Sequence, residues 1–251
     1  MKIGGILDIS TKDIPNRSSM VIFTVGCNFK CEFCHNKYLL QPNVGREYEI
    51  KEVIDKLATN LLVSGVSITG GEPTLQKDLL ELCKQIQKNT DKYLSIDTNG
   101  SKPEIIKKIS PYINRIALDL KGPPDLDKLE KITGVKVNLD KILKTIKFLN
   151  TQKEIDFEIR TTYVGNLLNS DDIDNILTYL KNTGFNGNFV LQQYQFLEGV
   201  GEEYKAIFSK PEHEVLFNIL KPYIGVKFPF NIFLRDEVVG YSKIDNLSLN
   251  V

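Results

Sequence analysis

The chain has 251 residues, a length that one α/β-barrel-like domain fills without splitting. Its hydrophobic content of 41% is that of an ordinary globular protein, and no apolar run approaches the ~20 residues that span a bilayer, so no membrane role is expected. Thirty-two basic residues cancel thirty-two acidic ones with no dense Lys/Arg stripe, which argues against nucleic acid as a ligand.

The apolar run at residues 20–25 predicts a first strand, and the loop after it reads Cys27-Asn-Phe-Lys-Cys31-Glu-Phe-Cys34. A helix is expected over 49–62, with Ile50, Val53, Ile54, Leu57 and Leu61 on one face. A strand at 66–69 runs into Gly70-Gly71-Glu72-Pro73, and a helix over 77–89 follows. A strand at 93–97 leads to Asp97-Thr98-Asn99-Gly100, then a short helix at 103–109. The strand at 115–120 carries Asp119-Leu120-Lys121 at its end, and Leu139, Ile142, Leu143, Ile146 and Leu149 mark the next helix. Residues 157–164 form a strand, 171–181 a helix with Ser170 as N-cap, 188–192 a strand and 212–220 a helix.

This alternation implies right-handed crossovers and a parallel sheet, but six units are too few for an eight-fold barrel. Residues 1–220 read as the core domain, and 221–251, which break the alternation, as a short C-terminal extension of it or as edge strands. In parallel α/β barrels the site lies at the C-terminal strand ends. The cysteine loop, Gly70-Gly71-Glu72-Pro73, Asp97-Thr98-Asn99-Gly100 and Asp119-Leu120-Lys121 all fall there.

Three thiolates in one tight turn can close on one metal centre. Iron–sulfur cubes normally take four, so three leave one iron open, the mark of a catalytic site. Zinc is disfavoured: adjacent Cys34 and His35 cannot easily both face one tetrahedral ion, and no second Cys or His pair follows. A disulfide framework needs a secreted context, and no signal peptide is apparent. Reduced thiols point to the cytoplasm, and an open cluster to an anaerobic setting. Cys83 falls on the apolar stripe Leu79, Leu82, Ile86 and reads as core.

The C-x3-C-x2-C loop resembles the signature of the radical S-adenosylmethionine (SAM) superfamily. That resemblance implies a partial (βα)6 barrel and a [4Fe-4S] cluster on Cys27, Cys31 and Cys34, whose open iron is chelated by SAM. It further implies reductive cleavage of SAM to a 5′-deoxyadenosyl radical, with Phe33 packing by the adenine. Gly70-Gly71-Glu72-Pro73 resembles the superfamily element whose backbone meets the SAM amino group. Read on its own it is a strand-to-helix turn, and no Lys or Ser/Thr follows as in a phosphate loop.

Asp97-Thr98-Asn99-Gly100 with Asp119-Leu120-Lys121 resembles glycyl-radical-enzyme activating enzymes, where these positions contact SAM and shape the site of the substrate loop. Asp97, Asn99, Asp119 and Lys121 are thus expected at the cofactor, with Asp119 and Lys121 as the catalytic pair. Asp97 and Asp119, on neighbouring strand ends, could approach one another; Lys121, SAM or a monovalent cation would supply the counter-charge. The bland reading of each aspartate is a cap or turn former. Arg160 shares a strand face with Glu158 and Thr162; turned inward it would reach a carboxylate of SAM or substrate, turned outward it is a surface charge. Gln193 and Gln195 stand where related activases often carry a polar or histidine residue, and His213 reads as a surface residue.

The stretch from Gly4 through Cys34-His35-Asn36 resembles the activating proteins of anaerobic ribonucleoside-triphosphate reductase, although Ile14-Pro15-Asn16-Arg17 departs from the usual Tyr-Pro-Gly-Lys. The resemblance implies a glycyl radical enzyme as partner and a reduced donor such as flavodoxin or ferredoxin. Two other classes compete. One is a small-molecule radical SAM enzyme resembling the carboxy-deazaguanine synthases; the other, a non-catalytic iron–sulfur protein, leaves the rim motifs unexplained.

Overall fold

A computed structural model describes residues 1–41, 43–196 and 207–247. The chain divides into two compact units. The first comprises Met1–Asn28, Asn36–Leu118 and Asp140–Phe157, and the second Phe29–His35, Asp119–Leu139 and Glu158–Val251.

The first unit holds strands β1 (Lys2–Ile14), β2 (Arg17–Thr24), β3 (Arg46–Glu47), β4 (Gly65–Gly70), β5 (Tyr93–Thr98) and β6 (Arg115–Asp119), in the order β6-β5-β4-β2-β1-β3. Strands β2, β4, β5 and β6 run parallel, so the predicted crossovers are present. Their register aligns Ile22, Ile68, Ile96 and Ile116 in one row, and all four are fully buried. Each such side chain contributes roughly 1.5–3 kcal/mol on removal from water. The alternate row carries Val21, Ser67, Ser95 and Arg115, so the opposite sheet face is polar as well as buried.

Among the described residues its α-helices are α1 (Ile50–Thr59), α2 (Leu79–Asn89), α3 (Pro103–Ile109) and α5 (Leu139–Leu149), the last beginning at the unit boundary. The stripe Leu79, Leu82, Cys83 and Ile86 of α2 is fully buried, and burial pushes the Cys83 thiol up to about 12. Helix α1 stops three residues short of the expected end. Asn60 leaves helical geometry, accepts from Leu62 N–H and donates to the Asp8 carbonyl, and Leu61 is 89% exposed instead of lying on the apolar face. The 13-residue β1, antiparallel to β2, was not foreseen from the pattern.

The second unit holds β7 (Asp156–Tyr163, from its third residue), β8 (Asn188–Gln193), β9 (Asn231–Asp236) and β10 (Gly240–Lys243). Strands β7, β8 and β9 are parallel, and β10 folds back antiparallel on β9. Among the described residues its α-helices are α4 (Leu126–Thr133), α6 (Ser170–Asn182), α7 (His213–Leu220) and α8 (Ile244–Leu247). Helix α4 was missed in the sequence, although Asp125 caps its start by accepting from Lys128 N–H. The cap of α6 is Asn169, not Ser170: Asn169 and Asp172 exchange side-chain-to-backbone bonds, both 2.9 Å, in a reciprocal capping box. Among the described residues no helix is long and apolar enough to cross a membrane.

Candidate active site

In the first unit the cysteine loop begins where β2 ends, and main chain from the loop after β4 grips its first residues. Gly71 N–H donates to the Thr24 carbonyl and Glu72 N–H to the Gly26 carbonyl, each at 2.8 Å. This approach demands glycine, since a Cβ on Gly71 would lie 2.0 Å from the Gly26 oxygen. Gly70 has φ +108°, and Asn36 Nδ2 donates to its carbonyl at 3.3 Å. Gln76 Nε2 holds the Val25 carbonyl at 2.7 Å.

Glu72 is buried, and its carboxylate serves the neighbouring loops. Oε1 accepts from Thr74 N–H at 3.1 Å, from the Thr74 hydroxyl and from the Thr98 hydroxyl at 2.8 Å; Oε2 accepts from Asn99 N–H at 2.8 Å. Burial still dominates, and the Glu72 pKa is raised despite these donors. The Asn99 amide donates to Asn28 Oδ1 at 2.9 Å and lies 4.0 Å from Cys27 Sγ, while Asn28 donates to Ser101. Cys27 is thereby flanked by the Asp97-Thr98-Asn99-Gly100 loop. Asp97 is buried, with Arg115 Nη1 at 3.7 Å from its Oδ1.

In the second unit Lys30 N–H donates to the Thr133 carbonyl at the end of α4, and Cys34 N–H to the Cys31 carbonyl at 3.2 Å. Cys31 is buried, and its thiol is pushed up to about 11 by burial, against the pull of the Lys121 ammonium. Asp119 divides its carboxylate between two cations: Lys121 Nζ lies 3.0 Å from Oδ2, and Arg160 Nε 3.0 Å from Oδ1. Burial opposes the charge, but Arg160 and Lys121 outweigh it and hold Asp119 at about 2. Burial likewise opposes the Lys121 charge, and Asp119 overrides it to raise the ammonium's pKa. Arg160 is buried and belongs to this network and not to the solvent surface; Glu158 Oε1 stands 4.0 Å from its Nε.

Phe33 is buried against Tyr194 and Phe208, edge to face at 6.1 and 6.3 Å. His35 stacks on Tyr194 at 5.0 Å, and burial lowers its pKa to about 4. Tyr194 was overlooked in the sequence; its only signal there was an aromatic among the glutamines that end the sixth strand of the alternation. Gln193 is buried and structural, donating to Pro211 O at 2.8 Å and accepting from Glu237 N–H at 3.1 Å. His213, partly exposed, pairs through Nδ1 with buried Asp236 at 2.6 Å. Among the described residues no three His, Cys, Asp or Glu side chains are already gathered as a ligand set.

These strand-end loops define a class, the parallel α/β enzymes that carry a cysteine-rich loop after a leading strand. A family model for the radical SAM superfamily matches residues 21–190, and the chain belongs to that superfamily. Its members use a [4Fe-4S] cluster and SAM. A Methanocaldococcus jannaschii protein provisionally named glycyl-radical enzyme activating enzyme is 34% identical over 232 residues, covering 88% of this chain and 92% of its own. A Thermococcus kodakarensis protein provisionally named GTP 3′,8-cyclase is 30% identical over 145 residues, 55% of this chain and 47% of its own. Streptococcus suis SuiB, solved with SAM bound, superposes with a TM-score of 0.67 at 20% identity, covering 86% of this chain and 50% of SuiB. This chain therefore spans about half of SuiB, and the likeness is one of fold: the partial parallel α/β barrel of the superfamily.

Proposed function

We propose that this radical SAM enzyme is an activating enzyme that places a glycyl radical on a partner protein, an anaerobic ribonucleoside-triphosphate reductase, with a reduced flavodoxin or ferredoxin as electron donor. The observation that carries the reading is the 34% identity to the M. jannaschii protein across 92% of that protein's length.

Cys27, Cys31 and Cys34 are the residues to hold the cluster, and the donor set fits it. Three thiols stand within eight residues; Gly71 and Glu72 hold the main chain before Cys27, and the Thr133 carbonyl holds Lys30 N–H. With a [4Fe-4S] cluster and SAM bound there, the site would supply one-electron reductive cleavage of SAM, and through it the removal of a hydrogen atom from a glycine Cα. The residues of this chain prepare for that. Phe33 offers an apolar wall to the adenine. Gly70 and Gly71 pack their bare Cα atoms against the main chain of Thr24 and Gly26, and so set the turn whose backbone would meet the SAM amino group. Glu72 acts through position, because its carboxylate is occupied in holding Thr98 and Asn99. Asp97 and Asn99 would contribute further contacts to SAM. Buried Arg160 and half-buried Lys121, both anchored on Asp119, supply preorganised positive charge for a carboxylate.

A second reading, turnover of a small nucleotide, draws on the similarity to the T. kodakarensis protein, which reaches less than half of that protein's length. The two separate in one experiment. Reconstituted protein is incubated anaerobically with SAM, reductant and a candidate glycyl radical enzyme, or with GTP in its place. A glycine-centred doublet in the paramagnetic spectrum of the partner supports the activase; SAM cleavage stimulated by GTP alone, with no partner radical, overturns it.

A further inference from the structure

In the second unit, Oη of Tyr194 and Nε2 of His35 are buried with no hydrogen-bond partner among the described residues. Tyr194 lies just beyond β8 and is fully buried. Folded proteins rarely leave such a hydroxyl unsatisfied without a ligand to complete the bond.

The Tyr194 ring is immobilised on several sides. Phe33 meets it edge-on at 6.1 Å, Phe208 edge-on at 6.5 Å, and His35 stacks on it at 5.0 Å. Phe33 and His35 are the residues on either side of Cys34, so this phenol is clamped by the immediate neighbours of one thiol. Burial, and then the Cys34 sulfur, raise the Tyr194 pKa, which keeps its proton available for donation. His35 differs. Its Nε2 is also unpartnered, but an imidazole nitrogen donates in only one of its tautomers, whereas a phenol O–H is always a donor. Tyr194 is the donor of the two.

We infer that Tyr194 is a positioning residue of the iron–sulfur site, whose hydroxyl donates a hydrogen bond to sulfur at the Cys34 corner and raises the reduction potential of the cluster. Hydrogen bonds to sulfur are among the factors that set such potentials, because they offset the negative charge added on reduction. The inference rests on the assignment of Cys34 as a cluster ligand.

The test is a redox titration of anaerobically reconstituted full-length protein, followed by paramagnetic resonance, with iron and sulfide counted beforehand. Tyr194→Phe keeps the ring and removes only the donor. A full cluster complement with the one-electron reduction equilibrium weakened about tenfold, a negative shift of 59 mV, is the expected result. An unchanged potential at full occupancy overturns it. If Tyr194→Phe does not hold a cluster, 3-fluorotyrosine at position 194, a stronger donor of nearly the same shape, decides: a positive shift supports the inference and no shift overturns it. Failure of the wild type to assemble any cluster would instead strike the Cys34 assignment, and so is distinguishable.

Discussion

The main-chain N–H of Asn99 donates to Oε2 of Glu72 at 2.8 Å, so the loop after β5 is tied to the glycine turn after β4 by a buried carboxylate. Glu72→Gln replaces one of the two acceptor oxygens with an amide donor that faces donors from Thr74, Thr98 or Asn99. The loss is about 1–3 kcal/mol, a fall in Tm of roughly 2–12 °C for a chain of this size. Calorimetry of the cluster-free protein reads it directly; an unchanged Tm would mean that the carboxylate does not clamp the loops.

Gly71 supplies a second, purely steric test. Gly71→Ala sets a Cβ 2.0 Å from the Gly26 oxygen and must push the start of the cysteine loop away. SAM affinity should drop at least tenfold. Gly5→Ala, whose Cβ meets nothing nearer than 4.0 Å, should bind SAM as the wild type does. Equal affinity in both variants, measured by equilibrium dialysis, would refute the steric account.

The cysteines divide by place in the fold. Cys27→Ala, Cys31→Ala and Cys34→Ala should each abolish iron and sulfide retention and the visible absorption of the cluster. Cys83→Ala should retain both, at a cost of about 1–2 kcal/mol for the emptied core volume. Native Cys83 should also resist alkylation until the protein unfolds, since burial holds its thiol up to about 12. Cluster loss in folded Cys83→Ala would overturn this division.

Asp119 provides a dependence on pH. Its folded pKa of about 2 lies below the ordinary value of 3.8, so its ion pairs stabilise the fold fully above pH ~4 and are lost as pH falls towards 2. The linkage amounts to about 2 kcal/mol. Urea unfolding of cluster-free protein should show wild type more stable than Asp119→Asn at pH 7, with the gap narrowing at pH 3. A constant gap would show that the charge on Asp119 is not what Arg160 and Lys121 hold.

The sequence alone determined what is carried by spacing and period. Three cysteines within eight residues need no tertiary information to suggest a metal loop. A helical recurrence of Leu79, Leu82, Cys83 and Ile86 is enough to bury the fourth, because one face of a helix must leave water. The strand–helix alternation likewise announced the parallel β2, β4, β5 and β6.

Element ends and long-range partners were decided only in three dimensions. Leu61 fits the period of α1, yet Asn60 found a better bond at Asp8 and turned the chain outward. Ser170 and Asn169 are both acceptable caps, and the reciprocal bond with Asp172 chose Asn169. Arg160 and Asp119 are 41 positions apart, and whether Arg160 faced in or out depended on which side of β7 met that carboxylate. Tyr194 and the two residues that flank Cys34, Phe33 and His35, lie still farther apart in sequence. Local pattern records which side a residue prefers, whereas the identity of the group it meets there is fixed by packing of distant segments, and that is where the charges and the buried hydroxyl of this site acquire their roles.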